Sequence, residues 1–212
     1  MTKRNTTTTQ RAGAILAVVM TACTPAKEPA STQGSSTATT AAAASTAATT
    51  NAKPCAEAEH RQMDFWVGEW TLALRARTSI DSNDWTDANG TNRITSTLHD
   101  CVIEERFEAD GPGPAWAGHS VSQLVASDGK WHQTWVDDQG GYITLVGTKE
   151  GADIVLVAPP RIIASGATQQ MRMVYTDIKP DSLTWRWEGT RDAGKTWQPT
   201  LVIAYTRARR AH

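Results

Sequence analysis

Nine tryptophans and a scatter of carboxylates carry most of the chemistry this chain of 212 residues can offer. Trp131 and Trp135 lie four apart and Trp185 and Trp187 two apart, so on extended strands each pair points to one side, where indoles line a cavity or fill it. Tyr175 shares a face with Met171 and Met173 and joins these four as an expected ligand contact. Glu104 and Glu105 are adjacent on a strand pattern, point to opposite faces, and so cannot act as a close acid–base pair. Glu105 falls on the face of Cys101, Ile103 and Phe107, which turns it inward. A buried carboxylate needs a partner, and Arg172, Arg186 or a polar ligand is expected to supply it. Glu108, Asp137 and Asp138 complete the carboxylates that acid–base work could draw on.

Other catalytic arrangements have little support. His60, His99, His119 and His132 show no H-x-x-x-H or related metal-ligand spacing, so a zinc site would need distant strands to meet, and neither metal nor cofactor is expected. Ser120, within Gly118-His119-Ser120-Val121-Ser122, lacks the second glycine of the G-x-S-x-G elbow and sits on a strand pattern, which argues against a hydrolase triad.

The elements that must position these side chains are short strands. From Asp64-Phe65-Trp66-Val67-Gly68-Glu69-Trp70 onward the pattern alternates, with Trp70, Leu72, Leu74 and Ala76 on one side and Thr71, Ala73, Arg75 and Arg77 on the other. Turn chemistry recurs at Asp87-Ala88-Asn89-Gly90, Gly111-Pro112-Gly113-Pro114, Ser127-Asp128-Gly129, Gln139-Gly140-Gly141, Glu150-Gly151, Lys179-Pro180-Asp181 and Asp192-Ala193-Gly194. About ten strands lie between these turns, among them one in which Ile94, Ser96 and Leu98 share a face. Ala56 to Met63 reads as a short helix or 3₁₀ turn, a plug or lid for the strands after it. An all-β, antiparallel up-and-down barrel of about ten strands removes the edges of so long a meander and leaves room for a small ligand. A two-sheet sandwich is the alternative.

The N-terminal part of the chain has a different character. Lys3, Arg4 and Arg11 precede an apolar run from Ala12 to Met20 and then Thr21-Ala22-Cys23, the layout of a signal peptide over residues 1–22. That apolar run is too short to span a bilayer. Removing it takes away three basic and no acidic side chains, leaving 18 Lys+Arg against 22 Asp+Glu, the wrong sign for a sequence-independent nucleic-acid binder. Residues 23–53 are rich in Ala, Thr and Ser without an aromatic residue and read as a disordered tether spanning roughly 30 Å root-mean-square. The domain then covers residues 54–212. With Cys23 set aside, Cys55 and Cys101 remain as an even pair in an oxidising compartment, either bridged or buried as free thiols. A bridge would close a loop of about 45 residues, on the order of 4 kcal/mol of chain entropy.

Several blocks carry resemblances. Met20-Thr21-Ala22-Cys23 resembles a bacterial lipobox, which implies that Cys23 is lipidated and the protein anchored in the cell envelope; Thr24, in place of Asp, points to the periplasmic face of the outer membrane. Gly68-Glu69-Trp70, the meander and a late Arg resemble the calycins, the superfamily of lipocalins and fatty-acid-binding proteins. This implies a lipocalin-like barrel in which Arg207, or else Arg209, packs on Trp70 to join the last strand to the first. Phe65 to Trp70, Cys101-Val102-Ile103-Glu104-Glu105, Trp131 to Asp137 and Asp192-Ala193-Gly194-Lys195-Thr196-Trp197 together resemble a bacterial family of secreted domains of unknown function. Calycin-like haem binders, the nitrobindins, use a late His; only His212 is late here, which argues against haem. Thr190 to Trp197 is similar to an Asp-box, which implies a hairpin in which Asp192 binds turn amides and Gly194 takes a positive φ.

The function expected from these features is a membrane-tethered, periplasm-facing barrel binding a small hydrophobic or amphipathic molecule. Its contact with the membrane would be through the lipid anchor alone. Its rivals are an enzyme, a hydrolase or isomerase using inward polar residues, and a structural envelope lipoprotein.

Overall fold

The computed structural model of the protein describes residues 53–110 and 115–209. The signal segment, Cys23, most of the tether, the Gly111 to Pro114 turn and His212 lie outside the described residues.

Two 3₁₀ segments, Ala58–Arg61 and Asp64–Trp66, lead into eleven strands. In chain order these are β1 (Gly68–Ala76), β2 (Thr86–Thr97), β3 (Val102–Asp110), β4 (Trp116–Val125), β5 (Lys130–Asp137), β6 (Tyr142–Glu150), β7 (Asp153–Val157), β8 (Arg161–Ile162), β9 (Thr168–Lys179), β10 (Ser182–Thr190) and β11 (Gln198–Arg207). Strands β1 to β7 pair with their neighbours, β7 pairs with β9, β9 with β10, β10 with β11, and β11 returns to β1, all antiparallel. The result is a closed ten-stranded barrel with β8 as a two-residue ladder beside β9. Closure leaves no long unpaired edge among the ten, and the sandwich alternative is set aside.

Alternation does the sorting. On β1, Trp70, Leu72 and Leu74 are buried while Glu69, Thr71, Ala73 and Arg75 are exposed. The inward side chains form one core with Ile103, Leu145, Leu156, Tyr175 and Ile203. At the end where β1 begins, the N-terminal segment acts as a plug: Met63 and Trp66 are buried, and Trp66 meets Tyr175 edge to face with centroids 5.1 Å apart. A disulfide between Cys55 and Cys101 ties this plug to the start of β3, which rules out the free-thiol alternative.

The first and last strands join as the resemblance implies. Trp70 stands opposite Arg207 in the β1–β11 register, and the Arg207 guanidinium lies 3.8 Å from the Trp70 ring centroid. The same guanidinium donates to the carbonyls of Phe65 at 2.8 Å and Val67 at 2.5 Å, binding the plug to the last strand. Gly68 is required here: it has φ +137°, and a Cβ on it would lie 2.0 Å from Arg207 Nη1.

Three expectations need correction. Asp87 to Gly90 is no turn but part of β2, because Gly90 serves close approach between strands: a Cβ there would lie 2.4 Å from the Glu108 carbonyl oxygen. Leu98 leaves the face of Ile94 and Ser96, since Leu98, His99 and Asp100 all take positive φ in the tight β2–β3 turn, and Leu98 ends up exposed. Arg172 and Arg186 do not reach Glu105. They lie on β9 and β10, across the barrel, where both bind the buried carboxylate of Glu188 at 2.7 Å on the outward face.

The Asp-box-like hairpin between β10 and β11 forms as expected. Asp192 accepts from the Thr196 amide at 2.9 Å and from its hydroxyl, Gly194 has φ +85°, and Ala193 is also left-handed at φ 58°. Hydrogen bonds from Thr196, then from Thr190, hold the Asp192 carboxyl well below the usual carboxylate range.

Candidate functional site

The cavity sits in the half of the barrel away from the plug, where β4 and β6 begin and β3, β5 and β10 end. It has a volume of about 150 Å³, that of a single aromatic ring with room for little else. Two aromatic walls face each other across it. One comes from three neighbouring strands: Phe107 on β3, Trp116 on β4 and Trp135 on β5 meet edge to face with centroids 4.8 to 5.9 Å apart. The other is the pair Trp185 and Trp187 on β10, parallel within 5° and 6.3 Å apart. Strands β4 and β10 are five places apart in a ring of ten, so the walls lie on opposite sides.

Register explains how the first wall is built. Glu105, Ser120 and Trp135 form one cross-strand row, and Phe107, Gly118 and Asp137 the next row toward the rim. Gly118 is the gap over which the Trp135 indole lies; a Cβ on it would fall 2.0 Å from that ring. Laid across Gly118, the indole N–H of Trp135 donates to Asp137 Oδ2 at 2.9 Å. Asp137 Oδ1 meanwhile accepts from the amides of Gly141 at 2.7 Å and Gln139 at 3.1 Å, closing the β5–β6 turn. Burial alone would raise the Asp137 pKa, but the hydrogen bonds from Trp135, Gly141 and Gln139 outweigh it and hold the carboxyl below its usual range.

The floor is polar. Glu105, 5% exposed, accepts from Asn92 Nδ2 at 2.6 Å and from Ser120 Oγ at 2.6 Å, and Asn92 Nδ2 also reaches the Tyr205 hydroxyl at 3.0 Å. These partners are neutral, so burial dominates and pushes the Glu105 pKa from 4.5 to about 7. Burial, and then the Glu105 charge, push the Tyr205 and Tyr175 hydroxyls up. Glu105 thus changes charge near neutrality while the groups around it do not.

Of the expected site residues, Glu105, Trp135, Trp185 and Trp187 line the cavity. Trp131 points inward as well, but four residues nearer the plug, where it is buried and donates to Gln62 Oε1 at 3.2 Å. Tyr175 is fully buried between the plug and the cavity, against Phe65 and Trp66. Glu104 faces outward and takes a hydrogen bond from Thr97. Ser120 donates to Glu105, and the neighbouring His119 lies on the opposite face, 3.9 Å from Glu104. His132 pairs with Asp128 at 2.9 Å and His60 lies 3.5 Å from Glu57. Among the described residues no three potential metal ligands converge.

Sequence reasoning missed Phe107, Trp116 and Asn92 as site residues. For Trp116 a signal was there, since it shares period two with Gly118, Ser120, Ser122 and Leu124 on β4. Asn92 had none, because its role follows from the β2–β3 register.

A ten-stranded antiparallel barrel, plugged at one end by its N-terminal segment, with an aromatic-walled cavity toward the other, is a lipocalin-like barrel. The chain belongs to the family described as "Protein of unknown function (DUF1579)", which it matches over residues 55–207. No match was found among curated proteins. Among solved structures, Rv2717c from M. tuberculosis is similar in fold, with a TM-score of 0.51 at 11% identity, covering 72% of this chain and 99% of that one. Looser likenesses are the S-type phycobiliprotein lyase CPES from Guillardia theta (TM-score 0.47, 13% identity, 72% and 97% covered) and EF1p2_mFAP2b bound to DFHBI (0.37, 10%, 71% and 99%).

Proposed function

We propose that this protein binds a small, largely apolar molecule inside the barrel, and that the domain is held at the periplasmic face of a membrane by a lipidated Cys23. The observation that carries the binding reading is the cavity between opposed tryptophan walls above a single buried carboxylate. Walls of this kind contribute apolar area with little conformational freedom to lose, and one polar group fixes orientation. Of the cavity's indoles, all four are at least partly buried, so occupancy should change their fluorescence. Native mass spectrometry of the purified full chain, followed by titration of single-ring aromatic compounds against Trp fluorescence, tests this. A co-purifying ligand or saturable quenching supports binding; an empty protein with no response to any ring-sized compound overturns it.

The anchor rests on Met20 to Cys23 and the Ala/Thr/Ser-rich stretch after them. Cys23→Ala is expected to release the protein from the membrane fraction. A mature N-terminus elsewhere, without added acyl mass, refutes it. One observation favours the rival enzymatic reading: a carboxyl that titrates near neutrality at the floor of an apolar pocket is suited to proton transfer. Turnover of a bound compound that is lost in Glu105→Gln would favour that reading over simple binding.

A further inference from the structure

The residues that line the cavity are unbalanced in charge. Glu105 stands at its floor and Asp137 at its rim, and among the described residues none of the lining side chains is Lys, Arg or His. Arg172 on β9 and Arg186 on β10 are committed to Glu188 on the outward face. Glu105 receives one hydrogen bond on each oxygen, from an amide and a hydroxyl, which leaves further acceptor capacity on both oxygens and no counter-charge. The Asn92 side-chain oxygen beside it is buried without a partner. Against these spare acceptors the described side chains at the floor offer only the neutral hydroxyls of Tyr175 and Tyr205, and no charged donor. Above the floor the walls are aromatic faces and edges, and faces attract cations most strongly where water is excluded.

We propose that the molecule this cavity takes carries an organic ammonium group, seated between the opposed tryptophan walls and paired with the Glu105 carboxylate. This rests on the reading of the cavity as a small-molecule site and adds the chemical class of its occupant. The bound cation supplies the counter-charge that Glu105 lacks, and its N–H groups meet the spare acceptors. Asp137, ionised and fixed at the rim by the Trp135 indole and two turn amides, adds to the negative potential at the mouth.

The pH dependence follows from the groups that face Glu105. Asn92 on β2 and Ser120 on β4 do not titrate in the range concerned. Tyr175 on β9 and Tyr205 on β11 are pushed upward by burial and then by the Glu105 charge, so they stay neutral. Asp137 on β5 is held low and stays charged. Below about pH 7 Glu105 is a neutral acid, and binding a cation must expel its proton; above that value the carboxylate is ready. Affinity for an ammonium ion therefore rises with pH, by about tenfold between pH 6 and pH 8, and then levels off.

Benzylamine and benzyl alcohol form the test pair, because each is a ring with one polar head, and the amine is charged across this range. Isothermal titration of the full chain at pH 6 and pH 8 should show benzylamine binding at least tenfold more tightly than benzyl alcohol at pH 8. The preference should shrink about tenfold at pH 6, with proton release detected from the buffer dependence of the heat near pH 7. In Glu105→Gln, checked for folding by its thermal transition, benzylamine should fall to the level of benzyl alcohol. The pH arm on the unmutated protein stands even if that variant fails to fold. Equal, pH-independent binding of both probes overturns the ammonium proposal and leaves the binding reading standing; no binding of either overturns both.

Discussion

Glu105 should make the fold lose stability as the pH rises toward neutrality. Its carboxyl is buried and takes hydrogen bonds only from neutral Asn92 and Ser120, so burial lifts its pKa from 4.5 to about 7. The unfolded chain releases this proton near the ordinary value. Between the two values the folded state holds a proton that the unfolded state has lost. The stability contributed by the neutral acid is thus complete below about pH 4.5 and is lost as the pH climbs through about 7, after which the difference is constant. An interval of about 2.5 pH units, at about 1.4 kcal/mol each, amounts to about 3 kcal/mol. For a domain whose whole stability is of order 5–15 kcal/mol, a loss of that size is measurable.

Glu105→Gln isolates the effect, because glutamine keeps the shape and removes the titration. The Asn92 amide can turn its oxygen toward the new donor, and the Ser120 hydroxyl can donate or accept, so the hydrogen bonds survive. Urea midpoints taken every half pH unit from about pH 4 to pH 8.5 are the assay. The difference between the unmutated protein and the variant should shift by about 3 kcal/mol across that window in the variant's favour. Asp100, Asp128, Asp137 and Asp192, all held below their usual range, act with the opposite sign at more acidic pH, but they are common to both proteins and cancel. Parallel profiles, or a wild-type gain over the variant between pH 5 and pH 7.5, would refute the burial of an unpaired carboxyl.

Trp70→Ala should cost about 3–5 kcal/mol, the range for truncating a buried aromatic. Arg207→Ala should cost less, about 0.5–2 kcal/mol from the cation–π contact, plus the bonds to Phe65 and Val67. A double-mutant cycle on urea midpoints should find the two coupled, and additive effects would deny the contact that joins β11 to β1. Gly118→Ala should drive the Trp135 indole off its seat and into the cavity, weakening the binding of any ring-sized ligand and disturbing the near-UV spectrum of the indoles; an unchanged affinity would mean that the cavity is not where ligands bind. Cys55→Ser or Cys101→Ser should lower stability by up to about 4 kcal/mol if the bridge acts on the entropy of the unfolded chain. An unaltered unfolding midpoint would deny that role.

The features legible in the sequence and those hidden from it divide along one physical line. Period two gives the face of a side chain, and the faces came out as expected for Trp70, Leu72 and Leu74, for Glu105 against Glu104, and for Trp185 with Trp187. The disulfide and the Trp70–Arg207 contact were also legible, the first by cysteine arithmetic and the second by resemblance. Gly90 shows a limit of another kind. A glycine after Asp, Ala and Asn reads as turn chemistry, yet here it relieves crowding against the next strand, and only the pairing partner distinguishes these uses.

Face is not height, and the cavity is decided by height. Trp131 and Trp135 share a face on β5, but at about 3.3 Å per residue they are separated by roughly 13 Å along the strand. That distance takes one indole down to Gln62 of the plug and leaves the other at the cavity wall. Tyr175 is inward too, and ends under the cavity for the same reason. The level of each residue is set by registers such as Glu105 to Ser120 to Trp135, and by how each strand is staggered against the last. Those quantities are shared between strands and appear in no single stretch of sequence. Reading Arg172 and Arg186 as partners of Glu105 failed on face instead: Met171 and Met173 turn inward on β9 and Trp185 and Trp187 on β10, so the arginines between them turn outward. Both have the charge and length to reach a carboxylate, but their strands lie across the barrel from β3 and the nearer carboxylate, Glu188, stands directly opposite Arg172 in the β9–β10 register. Because Glu188 takes both arginines on the outside, Glu105 is left inside with neutral partners. The proposed preference for an ammonium ion rests on that uncompensated carboxylate, and so on the outward turn of the two arginines as much as on the register that sets Glu105 beside Asn92 and Ser120.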